Sequence, residues 1–324
     1  MTMRWLGLAL LAVAAVAIGI SAGPVAIRFP DVVAALRGHG DDAVIAIVRD
    51  LRVPRVVLAF LVGGALALCG AVLQVLVRNP LADPYLLGLS GGAGLGAVLA
   101  IAGHVGGTWA VPAAAFVGSL VAILAVYRLA MVAGAGLDPR VLLLAGVVVG
   151  AFAGALLGAV VTLSPAAELR NAMLWLLGGF DAASWRAVGV FAGYAVIPVV
   201  LLLLLARPLD LLSLGEEPAA YLGVEVETLK RVVFLAASLL TAAAVAVSGI
   251  IGFVGLVIPH AIRLVWGHAH RVLLPAAFIL GGTLLVVADT VARTAFAPRT
   301  LPVGVVTALI GVPVFAVLLR RSAA

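Results

Sequence analysis

Few groups in this chain could do chemistry, and their spacing rules out most reactions. Nucleotide hydrolysis needs a lysine in the setting G-x-x-x-x-G-K-[ST], where it reaches the terminal phosphates. The single lysine, Lys230, stands in ETLKRVV with no such loop before it. Any energy from ATP must therefore come from another subunit, and the chain reads as no enzyme. The five histidines are His39, His104, His260, His268 and His270. His268 and His270 lie two apart, which is not the spacing of metal ligands on one helix face. They read as polar residues at a membrane interface. The single cysteine, Cys69, sits in an apolar run. It allows no internal disulfide and no thiolate cluster, and reads as a small packing residue. No metal and no bound cofactor are expected.

Asp289, in LVVADTVAR, is an acid at membrane depth, and such acids are candidates for function. Arg293 follows one helical turn later and is its simplest partner. A proton relay would want more acids inside the spans. The block from Arg52 to Ala97 carries a different kind of signal. Arg52 and Arg55 lead into an apolar run, and Arg78, Asn79, Pro80, Asp83 and Pro84 lead out of it. A glycine-dense run follows. Polar, proline-broken backbone between apolar spans is what a pathway or a gate requires, and a plain anchor has no use for it.

These residues must be positioned by membrane helices. The 324 residues are 65% hydrophobic and 10% charged, which leaves too little polar surface for a soluble domain. A span takes about 20 apolar residues. Ten are expected, near 5–23, 56–77, 86–103, 109–133, 141–163, 187–206, 232–250, 252–266, 272–292 and 301–319. The stretch from Arg231 to Arg263 holds no charge and three glycines, Gly249, Gly252 and Gly255. It is one long broken helix or two short crossings. The first run is too long for a typical signal-peptide core and reads as a retained span. No linker divides the chain, so 1–324 forms one transmembrane domain in a lipid bilayer.

The net charge of +6 comes from basic residues set singly at span ends, so nucleic acid is not a partner. With both termini in the cytoplasm, Arg4, Arg78, Lys230, Arg320 and Arg321 fall inside, but Arg28, Arg37, Arg49 and Arg170 fall outside. The charge bias is a weak guide to orientation.

The hydrophilic insert at 207–231 predicts one or two short helices beyond the membrane. Glu216 and Glu217 suit a helix start, Pro218 its first turn, and Gly223 its stop. Tyr221, Leu222 and Val224 give it an apolar surface for a partner. A constant shift carries Arg52 onto Arg231, Gly70 onto Gly249, Pro80 onto Pro259 and Gly88 onto Gly267. This is a possible inverted repeat, a common plan in transport folds. Gly146, Gly150, Gly154 and Gly158 form a stripe that lets helices approach closely, or a smooth wall of a pathway or a subunit interface.

Several blocks in order carry a family resemblance: RVPR from Arg52, RNPLADP from Arg78 with LLGLSGGAGLGA, LLLAGVVVG from Leu142, SLGEEPAAYLG from Ser213, SGIIGFVGLVIPHAIRL, HRVLLPAAFILGG, ADTVAR and LPVGVVTALIGVPVFAVLLRR. The chain resembles the FecCD or BtuC type of bacterial ABC importer permease, which serves cobalamin, heme and ferric siderophores. The resemblance implies an all-α polytopic membrane protein with the BtuC-like fold, in the bacterial inner membrane, working as a homodimer. It implies two ATPase subunits with ATP and Mg at the cytoplasmic face, and a periplasmic substrate-binding protein outside. Arg52, Arg55 and Arg293 match arginines that dock the binding protein. Asn79 and Leu81 match a cytoplasmic gate. Leu214, Gly215, Glu216, Glu217, Ala220, Leu222 and Gly223 match the segment that couples to the ATPase. At Leu137-Asp138-Pro139-Arg140, where a second gate element is expected, Asp138 and Pro139 depart from the family's small hydroxyl residues. The expected substrate is an iron chelate, with cobalamin as the alternative. An ion-coupled secondary transporter and a structural membrane subunit are the rivals from other classes.

Overall fold

In a computed structural model, residues 2–133 and 137–322 are described, with the side chains of residue 167 and residues 318–322, Arg320 and Arg321 among them, outside the described set. The chain is helical throughout, with no strand among the described residues. The order is α1 (Thr2–Ser21), α2 (Phe29–Leu36), α3 (Asp42–Ala46), α4 (Val53–Leu76), α5 (Leu89–Ala102), α6 (Ala110–Val132), α7 (Pro139–Leu163) and α8 (Ala166–Leu176). It continues with α9 (Trp185–Leu204), α10 (Ala206–Leu212), α11 (Glu216–Tyr221), α12 (Val226–Ser248), α13 (Val254–Trp266), α14 (His270–Thr294) and α15 (Val303–Ser322). Among the described residues, seven helical stretches are long and apolar enough to cross a membrane, and α5, α13 and the Val303–Val317 part of α15 are shorter apolar helices. Together they fall where the ten expected spans were placed. The 14 residues of α5 rise only about 21 Å, less than a bilayer core.

α4 is the axis of the bundle. A π-helical turn, Ile47–Arg52, joins α3 to α4 in one stretch of 35 residues whose most apolar window is 83% buried, against 17% for α1. The wider turn lies where the Pro54 ring would crowd the preceding one. α4 can be surrounded because it carries small residues on its faces. A Cβ on Gly63 would run into the Gly281 carbonyl of α14, and one on Gly70 into the Gly255 backbone of α13. Gly64 takes Phe278 at 2.8 Å from its would-be Cβ. Backbones in contact gain dispersion energy, which drives helix association in lipid.

The uncharged Arg231–Arg263 stretch resolves into a full helix, α12, and a short one, α13. Between them Gly249 has φ 67° and Phe253 φ 70°, so the chain leaves helical geometry for five residues inside the bundle. Two of the four matched pairs of the shifted repeat take different places, while Gly88 and Gly267 both lie between helices with left-handed φ. Gly70 lies inside α4 whereas Gly249 ends α12, and Pro80 is in a loop whereas Pro259 is inside α13. The glycine stripe of α7 divides in two. Gly146 meets the Leu86 carbonyl, while Gly154 and Gly158 have nothing within 4 Å.

Two features were not expected. α8 is a helix between the fifth and sixth spans, and the return from it, 177–184, runs beside the α12–α13 break. The turn at Leu137–Arg140 is an N-cap, in which the Asp138 carboxylate accepts from the Arg140 amide at 2.8 Å and from Val141 at 3.3 Å. Pro139 sits at the first turn, where its missing N–H costs nothing.

Candidate functional site

Three clusters of polar groups interrupt the apolar bundle, one at each end and one between. At the end where α4 and α9 begin, two of the three arginines expected to dock a binding protein are buried. Arg52 is 5% exposed and Arg293 4%. The Arg52 guanidinium donates to the carbonyls of Ile20 (3.1 Å), Ser21 (2.6 Å) and Val25, closing the turn after α1. Arg293 donates to Ala22 O at 3.0 Å and Gly19 O at 2.8 Å, and its Nε lies 3.0 Å from Asp289. Both are drawn in because guanidinium donors are among the few groups that can satisfy helix-end carbonyls away from water.

The Asp289–Arg293 pair expected from the spacing forms, but Asp289 holds a second cation. Arg55 Nε lies 3.0 and 3.1 Å from its two oxygens, and Nη2 2.9 Å away. Arg55 thus keeps only its Nη1 edge free of Asp289, and this edge donates to the exposed Asp181 at 2.9 Å. The Arg55–Asp289 link could not be read from local spacing because the two residues are 234 apart.

The middle cluster joins the segment after α4 to the α12–α13 break. Asn79 Oδ1 accepts from the Leu81 amide at 2.9 Å, forming the tight turn that presents Leu81, which is 40% exposed. A short 3₁₀ turn, Pro84–Leu87, follows, capped by Asp83, which accepts from Tyr85 N at 3.0 Å. Burial pushes the Asp83 carboxyl up to about 6, while hydrogen bonds from the Tyr85 and Phe253 amides pull it down. Gln74 Nε2 donates to Ala82 O (3.3 Å) and Gly255 O (3.2 Å).

Tyr85 meets the break directly. Its hydroxyl donates to Ile251 O at 3.0 Å and accepts from Ile251 N at 3.2 Å. On the other side Gly179 N donates to Ser248 O at 2.8 Å. Irregular backbone at membrane depth persists only where protein groups satisfy it, and these contacts do so. Tyr85→Phe is expected to cost about 1–3 kcal/mol, because it strands two backbone groups at once. Hydrogen exchange at the Ile251 amide checks this. Equal exchange in wild type and mutant would show that the hydroxyl holds nothing.

Near the break, a cavity of about 820 Å³ is lined by residues that include Thr108, Arg170, Asn171, Trp175, Ser248 and Arg299. That is within the size of ligand sites, which run about 300–1,000 Å³.

At the opposite end, 207–231 forms the expected short helices, two in number, α10 and α11. Gly215 (φ 124°) starts α11, and Gly223 (φ 86°) follows its end. Leu214 (64%), Tyr221 (91%) and Leu222 (59%) are exposed, with Glu217, Ala220 and Gly223 beside them. Val224 is half-buried. Asp210 on α10 holds the start of α14, accepting from His270 N at 2.8 Å and lying 2.6 Å from His270 Nδ1. His270 is thus a buried partner of the short helices and not a free interfacial residue. Glu216 on α11 lies 3.1 Å from Arg78 and 3.2 Å from Lys230, which also meets Glu227 at 2.6 Å. No group of three or more His, Cys, Asp or Glu suited to a metal occurs among the described residues.

Comparison with known proteins gives consistent results. The model of the FecCD transport family matches residues 10–321. An ABC transporter permease protein, YvrB of Bacillus subtilis, is 41% identical over 98% of this chain and 93% of its own. The cobalamin import permease BtuC of Halobacterium salinarum is 47% identical over 85% of this chain and 73% of its own. The hemin transport permease HmuU of Yersinia pestis is 43% identical over 87% and 85%. Among solved structures, an inward-facing conformation of a metal-chelate type ABC transporter superposes with a TM-score of 0.90 at 30% identity, covering 99% of this chain and all of that one.

Proposed function

Because the chain belongs to the FecCD transport family and is an ABC importer permease, we propose that it carries an iron chelate, a ferric siderophore or heme, across the bacterial inner membrane. Its likeness to a hemin permease and to a metal-chelate type transporter supports that substrate class. Cobalamin is the second reading, favoured by the 47% identity to a cobalamin permease. The observation that carries the mechanism is the α10–α11 segment, which presents Leu214, Tyr221 and Leu222 to solvent while Glu216 pairs with Arg78 after α4 and Lys230 of α12, and Asp210 meets His270 of α14. Such a knob suits docking in a cleft of a partner ATPase, with the Arg78 end and both termini in the cytoplasm. ATP-driven motion there would move Asn79 and Leu81, the inner gate.

The Arg55 end then faces outward to a periplasmic binding protein. Arg55 is the group we assign to that contact, through its Nη1 edge, with Arg52 and Arg293 supporting it from behind. A homodimer would cover the apolar faces left open on α7 and α15, where Leu144 (66%), Phe152 (66%) and Leu309 (69%) stand exposed. The one acid expected at membrane depth, Asp289, is already engaged by Arg55 and Arg293, which weighs against the ion-coupled rival.

The test is reconstitution with the cognate ATPase and binding protein in proteoliposomes. Uptake of labelled ferric siderophore or heme is expected only with ATP inside. Uptake driven by an ion gradient without the ATPase would sink the importer reading, and uptake of labelled cobalamin alone would replace the substrate.

A further inference from the structure

Lys230, Glu216 and Arg78 are charged groups at the coupling end that pair with one another. They form a chain across three elements. Glu216 is the first residue of α11, Lys230 lies in α12, and Arg78 stands between α4 and the gate segment. Glu216 uses one oxygen for each cation, Oε1 to Arg78 at 3.1 Å and Oε2 to Lys230 at 3.2 Å. Lys230 is nearly enclosed, with its side chain 3% exposed, and Glu227 holds it from the same helix. The Lys230 side of the chain is therefore fixed, and the Arg78 side, at 47% exposure, is the one free to move.

Arg78 is also where the backbone turns. Its φ is 50°, a left-handed conformation that L residues other than glycine adopt at a cost. The turn carries the chain out of α4 and into Asn79, Pro80 and Leu81. The half-exposed ion pair that anchors it contributes little to stability, so its consequence lies in position. The other short helix is tied elsewhere, through Asp210 to the start of α14.

We propose that Glu216 is a positioning residue that links the coupling helix to the gate, by holding Arg78 at the turn before Asn79. When α11 shifts, Glu216 draws Arg78 with it and turns the segment bearing Leu81. This rests on the importer reading, since it assigns α11 to the ATPase and 79–81 to the gate.

The experiment uses the complete transporter, permease, ATPase and binding protein, in proteoliposomes, and reads substrate imported per ATP hydrolysed. Arg78→Gln is expected to lower that ratio about tenfold, within the range of coupling between two sites. ATP hydrolysis should persist. Arg78→Lys keeps the charge and should recover much of the ratio. In the double variant Arg78→Glu with Glu216→Lys, the restored opposite charges should import more per ATP than either single reversal. An unchanged ratio in Arg78→Gln would overturn the link. So would a parallel fall in uptake and hydrolysis, which signals damage to folding or assembly. If the wild-type complex shows no ATP-dependent uptake, the importer reading fails first and separately.

Discussion

Asp289→Ala is expected to lower the stability of the protein by about 3–5 kcal/mol, the cost of removing one partner from a buried ion cluster. The carboxylate is 1% exposed and binds two guanidiniums, Arg55 through Nε and Nη2 and Arg293 through Nε. Without it two cations stand side by side in the bundle, with only the exposed Asp181 left as a counter-charge to Arg55. Asp289→Asn keeps the shape and one acceptor, and should cost less. Adding Arg55→Met to Asp289→Ala removes one stranded cation and should recover part of the loss. Thermal unfolding of the detergent-solubilised chain, followed by its remaining monodisperse fraction, ranks the three. A single alanine variant that melts with the wild type would show that the cluster carries no net stabilisation.

Gly70→Leu is the second large effect. The α4–α13 contact has backbone against backbone, and even a methyl group at residue 70 meets the Gly255 carbonyl. The contact is close over more than one turn, because a Cβ on Gly255 would in turn meet Leu66 O of α4 and the Pro84 ring, and Gln74 of α4 bonds Gly255 O. Overpacking a core costs about 1–3 kcal/mol and more where backbone must shift. A loss of about 3 kcal/mol or more is expected for leucine, with displacement of the α12–α13 break. Gly154→Leu is the control, since residue 154 of α7 faces open space. Comparing the yield of folded protein from the two variants decides the matter. Equal yields would contradict the close contact.

Local features proved legible where one side chain acts on neighbouring backbone. Proline at first turns, the start of α11 at Glu216 and its stop near Gly223 follow from capping chemistry within four residues. The apolar runs were legible for the same reason, since hydropathy over about 20 residues reports the solvent around a helix. Asp289 and Arg293 on one helix face were readable from spacing. The choice of Arg55 as a second partner was not. Likewise the glycine stripe of α7 reads as uniform, yet only the Gly146 end meets a neighbouring backbone.

By itself the sequence determined that this is a membrane protein of about ten apolar helices. It also determined that the chain lacks the common phosphate-binding loop for ATP hydrolysis, and that a polar, broken segment interrupts its spans. Those properties depend on composition and on contacts within a turn or two of helix. Only the tertiary structure decided which way Arg52 and Arg293 point, what pairs with Asp289, how the 249–253 break is satisfied by Tyr85 and Gly179, and that Glu216 pairs with both Arg78 and Lys230. The physical reason is that a buried charge or an unpaired peptide group must find a partner, and in a bundle that partner sits on another helix. Its sequence distance is set by topology, which no local pattern records.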